Sequence, residues 1–274
     1  MTGKCFVVTS GKGGVGKTTV TANLGTALAL RDRKVCVVDA DIGLRNLDVV
    51  MGLENRIVYD LVHAIEGVCR LKQALIKHKK AEKLFLLPAS QTRSKDAITP
   101  EQMKGLMTRL KEEEQFDYIL VDCPAGIEQG FRNAVAGADE ALIVTTPEVS
   151  AIRDADRVIG LLQAAEIYEP KLIINRLSPE MVKKGDMMDQ DDIIDILAIE
   201  LIGVIPEDER VVISTNTGEP IVLTENSKSA EAFKRIARRI EGESVSVSPE
   251  GEELGLIARF RRLFGRNRKE AENV

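Results

Sequence analysis

Short apolar runs without alternation recur along the chain, at residues 5–8, 34–39, 84–88, 117–122, 141–146, 171–175 and 201–205. Such runs are the signature of strands buried on both faces of a parallel sheet. Between them the period changes. Val20, Leu24, Ala27 and Leu28, and later Met103, Leu106, Met107 and Leu110, recur every three or four residues, as on the inward face of a helix. Helices are predicted at residues 18–30, from Pro100 onward, and at 58–65, 150–165, 191–198 and 229–240. This alternation, without an internal repeat, predicts an α/β fold with a doubly wound, mostly parallel sheet.

The pattern changes after residue 241. Residues 242–252 are small and polar, which predicts a flexible linker between a folded unit at 1–241 and a last segment at 253–270. In that segment Leu256, Ile257, Phe260, Leu263 and Phe264 share an arc of about 120° on a helical wheel. Arg259, Arg261, Arg262 and Arg266 lie outside it. A basic amphipathic helix of this kind lies in a membrane interface. Each basic residue contributes on the order of 1 kcal/mol at an anionic leaflet, against an ordering cost of about 1 kcal/mol per residue. One copy is therefore expected to bind weakly, and two held together far better. Docking on its own domain, a partner helix and a solvated basic tail are the competing readings of the same segment.

The first apolar run leads into Gly11-Lys12-Gly13-Gly14-Val15-Gly16-Lys17-Thr18-Thr19. Gly11, Gly16, Lys17 and Thr18 fit G-x-x-x-x-G-K-[ST], in which backbone N–H groups curl round a phosphate at a helix N-terminus. In that motif Lys17 meets the β- and γ-phosphate oxygens and the Thr18 hydroxyl ligates Mg²⁺. The same letters also contain G-x-G-x-x-G, a dinucleotide loop, with Asp39 where a ribose-binding acid would stand. That alternative has no use for the Lys-Thr pair.

Two strand ends add carboxylates. Asp39-Ala40-Asp41 closes one run and Asp122 another, followed by Gly126. Acids at the C-terminal edge of a parallel sheet face the ligand crevice, and Asp122 stands where a nucleotide site holds a magnesium-bound water. Asp39 and Asp41 would equally serve a turn or a helix cap.

Composition narrows the field. A net charge of −5 excludes a protein that binds nucleic acid with its whole surface. No Trp and only three Tyr make base-stacking platforms a poor fit. No run of 18 apolar residues is present, and a strand so close to the first residue leaves no room for a leader, so the chain is expected in the compartment where it is made. Cys5, Cys36, Cys69 and Cys123 form no C-x-x-C and are expected to be buried thiols.

Lys12 directly after the first glycine gives the form K-G-G-x-G-K-[ST], which resembles the deviant Walker A (ParA/MinD) family of ATPases. Residues 39–48, Asp122-Cys123-Pro124-Ala125-Gly126-Ile127-Glu128, Pro147-Glu148-Val149-Ser150 and Gly203-Val204-Ile205-Pro206-Glu207-Asp208, with the basic tail, resemble its division-site branch over nearly the whole chain. The resemblance implies ATP and Mg²⁺ sandwiched in a homodimer, with Lys12 of one subunit reaching the phosphates on the other. It implies that Asp41 positions the attacking water and that Asp39 and Asp122 act on Mg²⁺ through its waters. Adenine falls to Asn175 and Arg176 and to Pro206 with Asp208; Asn175-Arg176-Leu177-Ser178 lacks the Asp of a guanine-reading N-K-x-D. It further implies attachment to the inner face of the cell membrane (or a plastid stroma location), recruitment of the division inhibitor MinC, and slow hydrolysis stimulated by MinE, with Ser150, Arg153, Asp154 and Asp156 in the partner-binding segment. Flagellar-number regulators and DNA-partitioning ATPases share the fold and remain alternatives, as do iron–sulfur carriers, which would need paired thiolates.

Overall fold

The computed structural model describes residues 3–224 and 227–247. The expected linker is therefore described only to Val247. Segment 253–270, with Leu256, Ile257, Phe260, Leu263 and Phe264, lies outside the described residues.

In chain order the elements are β1 (Lys4–Thr9), α1 (Lys17–Ala29), β2 (Val35–Asp39), α2 (Leu47–Val50), α3 (Leu61–Ile65), α4 (Leu71–Ala74), β3 (Ile76–Lys77) and β4 (Leu84–Leu87). There follow α5 (Pro100–Glu112), β5 (Tyr118–Asp122), α6 (Gln129–Val135), β6 (Glu140–Thr145), α7 (Val149–Ala164) and β7 (Lys171–Leu177). The last are α8 (Pro179–Lys184), α9 (Gln190–Leu197), β8 (Glu200–Pro206), α10 (Glu209–Thr217) and α11 (Lys228–Ile240).

The strands form one eight-stranded sheet in the order β3-β4-β2-β5-β1-β6-β7-β8. All neighbours are parallel except β3 against β4. Successive side chains alternate between two cores. Cys5, Val7, Cys36, Val38, Ile119 and Val121 point to the face covered by α3 to α7 and α9. Phe6, Val8, Val35, Val37 and Leu120 point to the face covered by α1, α2 and α11. With both faces covered, polar residues are excluded from the strand interiors and collect at strand ends.

Most predicted elements occur within a residue or two of the expected ends. The helix expected over 58–65 starts later, at Leu61, because Asp60 takes extended backbone and caps it, accepting from the N–H groups of Val62 and His63 at 2.9 and 3.0 Å. Helices α2, α4, α6, α8 and α10 and strand β3 have no counterpart among the expectations. Helix α1 buries eleven of its thirteen residues between the sheet and α11.

Candidate functional site

Helix α1 opens on Gly16, which has φ 98° and ψ 24°, and no side chain among the described residues caps it. Its first turn, Lys17 to Val20, contains no acid. The Val20 N–H closes the first helical bond, to the Gly16 carbonyl at 2.9 Å, and the N–H groups ahead of it make a ready anion site. Glycine is required at 16 on two counts: the left-handed backbone, and a Cβ that would lie 2.4 Å from the Asn175 amide nitrogen. Asn175 uses that nitrogen to donate to the Val15 carbonyl at 2.8 Å, so the end of β7 holds the loop. Gly11 meets α7 in the same way, since a Cβ would lie 2.1 Å from the Asp154 backbone.

The two loop lysines have different surroundings. Lys17 is buried, and its Nζ donates to the Ser10 hydroxyl at 2.8 Å, which in turn donates to the Lys12 carbonyl at 2.7 Å. Lys12 points outward and is held within its own chain by Glu148 Oε2 at 3.0 Å and the Ser150 hydroxyl at 3.1 Å. Both partners of the ion pair are well exposed, so it is worth about 0–1 kcal/mol. Releasing Lys12 is therefore cheap.

The strand-end carboxylates meet across the β2–β5 pairing, with Asp39 opposite Asp122. Asp39 fulfils the turn-and-cap reading: Oδ1 accepts from the Asp41 N–H at 2.9 Å, and Oδ2 from those of Asn46 and Leu47 at 3.1 Å each. It thereby shapes the loop that carries Asp41, which is half-buried. Asp122 accepts from the Thr21 hydroxyl at 3.3 Å and interacts with the Thr18 side chain. Burial pushes both carboxyls up, Asp39 to about 6 and Asp122 to about 7, and the repulsion of Asp39 adds to the shift of Asp122. Two crowded carboxylates beside a threonine hydroxyl and a bare helix N-terminus fit a hydrated divalent cation carried in with a phosphate. Mg²⁺ keeps several waters and needs few protein ligands. Among the described residues there is no cluster of three or more His, Cys, Asp or Glu that could hold a metal by itself.

A cleft of about 710 Å³ continues from the loop. Gly16, Thr19, Asn175, Arg176, Pro206 and Asp208 all line it, so the four residues carried over for adenine come together. At the end of β7 the register slips and Arg176 takes φ 58°, which turns its side chain to solvent. Asp208 caps α10 through the Arg210 N–H at 3.0 Å and accepts from the Ser227 hydroxyl at 2.9 Å. Burial opposes its charge, but these hydrogen bonds and the Arg210 side chain hold the carboxyl below its ordinary range. Ser150, Arg153 and Asp156 lie exposed along α7, whereas Asp154 is half-buried against Gly11. Ser10, Thr21, Glu148 and Ser227 also belong to the site and were not singled out from the sequence for these contacts. Only Glu148 had a signal, its place in Pro147-Glu148-Val149-Ser150.

A glycine loop between a buried parallel strand and an uncapped helix, facing carboxylates on two neighbouring strand ends, defines a P-loop nucleotide-binding protein. The ParA family model, described as NUBPL iron-transfer P-loop NTPase, matches residues 2–241. The chain is 54% identical over 266 residues to the septum site-determining protein MinD of Bacillus subtilis, covering 96% of this chain and 98% of that protein. It also resembles the MinC:MinD cell division protein complex of Aquifex aeolicus (TM-score 0.84, 53% identity, 89% of this chain and 98% of that one). A further neighbour is MinD complexed with Mg-ADP from Pyrococcus horikoshii (TM-score 0.78, 32% identity, 87% and 96%). The chain belongs to the ParA/MinD family of P-loop NTPases, within its septum site-determining branch.

Proposed function

We propose that this protein is an ATP hydrolase that selects the division site by cycling between a free form and an ATP-bound, membrane-attached dimer. The observation that carries the reading is the convergence of the bare α1 N-terminus and the Asp39–Asp122 pair on one point. A phosphate brings negative charge to the first, and the cation it carries relieves the second.

In this reading the backbone from Gly11 to Thr19 cradles the phosphates. Lys17 neutralises the β- and γ-oxygens from its buried position, and the Thr18 hydroxyl is the direct protein contact to Mg²⁺. Asp39 and Asp122 hold waters of the cation, and Asp41, carried on the loop that Asp39 organises, orients the attacking water. Bound Mg²⁺ supplies charge neutralisation on the phosphates. Lys12 leaves Glu148 and Ser150 and crosses to the phosphates of the partner subunit, adding a second ammonium in the transition state as an arginine finger does. Asn175, Arg176, Pro206 and Asp208 take the adenine.

The chain is read as an ATPase domain at 1–241, a linker at 242–252 and a membrane-targeting helix at 253–270 inserted through Leu256, Ile257, Phe260, Leu263 and Phe264. Its place is then the inner face of the cell membrane. MinC is the recruited inhibitor and MinE the activator of hydrolysis, both through the α7 face that carries Ser150, Arg153, Asp154 and Asp156. Support for MinC comes from the complex that the Aquifex relative forms.

Co-sedimentation with anionic liposomes, with ATP and with ADP, tests the reading on the full chain and on one truncated after Gly251. Binding that requires both ATP and the tail is the expected result. Nucleotide-independent binding, or none, overturns the membrane cycle; salt-sensitive DNA binding in its place turns the reading to a partitioning ATPase.

A further inference from the structure

On the far side of Arg176 from the nucleotide cleft lies a second one, of about 820 Å³, between the start of α7 and the α8–α9 segment. Met181, Met187 and Met188 line it with Val149, and Met181 and Val149 are 40% and 60% exposed. Its lining is mainly acidic: Asp186, Asp189, Asp192 and Glu207, with Glu148 already paired to Lys12, stand against one basic lining residue, Arg176, while Lys183 and Lys184 end α8 nearby. None of the six residues of α8 is buried, so this wall of the cleft has little packed against it. A methionine floor adapts to varied apolar side chains, and a groove of this kind takes an amphipathic helix.

We infer that the cleft is the resting site of this chain's own segment 253–270, which docks there when no ATP is bound. The inference rests on the reading of that segment as a basic amphipathic helix. Its apolar arc suits the methionines and its arginines suit the carboxylates, including Asp191 and Asp195 exposed along α9. The chain also leaves the described residues on the right side. Val247 packs into the same core face as Met188 and Ile194, and the Val245 carbonyl accepts from Arg239, which also donates to Leu201 at the start of β8. From there α9 leads to the cleft, a length of about 12 Å at 1.5 Å per residue. Five extended residues, 248–252, span roughly 17 Å. The linker is long enough.

The apolar arc can lie in the cleft or in a bilayer, not in both, so docking competes with membrane binding. Three residues couple that competition to nucleotide: Arg176 and Glu207 line both clefts, and Glu148 holds Lys12. Loss of the Lys12–Glu148 contact and filling of the nucleotide cleft alter the wall on which the helix rests.

The test uses the full chain carrying Met187→Cys and Phe264→Cys, a short bismaleimide and low micromolar protein. Rapid intrachain cross-linking with ADP is expected, falling several-fold with ATP and phosphatidylglycerol vesicles. A rate no higher than that of a control pair, Lys72→Cys with Phe264→Cys, overturns the inference, as do products that are solely interchain. In a second arm, Asp186→Asn, Asp191→Asn and Asp195→Asn together are expected to raise ATP-independent vesicle binding about tenfold, by freeing the fraction of helix held in the cleft. Unchanged binding also counts against docking. If truncation after Gly251 leaves vesicle binding intact, the membrane reading fails instead, and the cross-linking rate still reports docking on its own.

Discussion

Asp122 concentrates the conflict between folding and function in one carboxyl. Burial first, and then the charge of Asp39 opposite, raise its pKa to about 7. An acid whose folded pKa is raised binds more protons folded than unfolded, so its contribution to stability falls as pH rises from about 4 to about 7 and stays low above that. Asp122→Asn keeps an acceptor for Thr21 and removes the charge. It is expected to leave nucleotide-free stability unchanged near pH 4 and to raise it by about 1–3 kcal/mol at pH 8, while abolishing Mg²⁺-dependent hydrolysis. Urea unfolding at the two pH values measures the first effect and phosphate release the second. A variant less stable than wild type at pH 8 would show that the pair is held by attraction to Lys17 and not tolerated at a cost.

Among the elements, α11 ties the nucleotide cleft to the far core. Ser227 caps it, accepting from the Ala230 N–H at 3.1 Å while donating to Asp208 at 2.9 Å. Ser227→Ala should therefore do two things at once: lower stability by about 1 kcal/mol through the lost cap, and weaken ATP binding several-fold by loosening Asp208. Urea midpoints and nucleotide titration separate the two; unaltered affinity would remove Asp208 from the adenine contacts. This link also marks the limit of what the sequence made legible. Strands β1, β2 and β5 were readable because burial on both faces leaves unbroken apolar runs, and α1 because its loop demands a helix after it. Helices α2 and α6 were not, since four and seven residues are too few to establish a period. Strand β3 has two residues and exists only through its antiparallel pairing with β4. The loop and the strand-end acids could be named from local pattern. Lys12 with Glu148, 136 residues apart, and Asp208 with Ser227, 19 apart, are products of tertiary folding that no local window contains.

At the scale of the whole molecule, the four thiols report how the core on one face of the sheet opens. Cys5, Cys36, Cys69 and Cys123 all lie in the core under α3 to α7, separately, as free cysteines. Burial pushes Cys5 and Cys123 up to about 12, and raises Cys36 and Cys69 as well. Such thiols are poor nucleophiles and poor metal ligands, which counts against an iron–sulfur role. A raised thiol pKa also means that the folded state keeps protons the unfolded state has released above about pH 9, so alkali destabilises the fold. At pH 8 an aromatic disulfide reagent should find Cys69 first, at 9% exposure, while Cys5, Cys36 and Cys123 wait for the sheet to separate from its helices. Their labelling then measures global opening. Ligand binding to the folded state alone adds RT ln(1 + [L]/Kd), so MgATP at about a hundred times its Kd should slow these three thiols about 100-fold. Cys123 directly follows Asp122, so it also tests whether the site opens alone. If Cys123 reacts quickly without nucleotide while Cys5 and Cys36 stay protected, the phosphate loop and β5 end unfold as a separate unit. Equal protection of all three makes the nucleotide site part of the cooperative core.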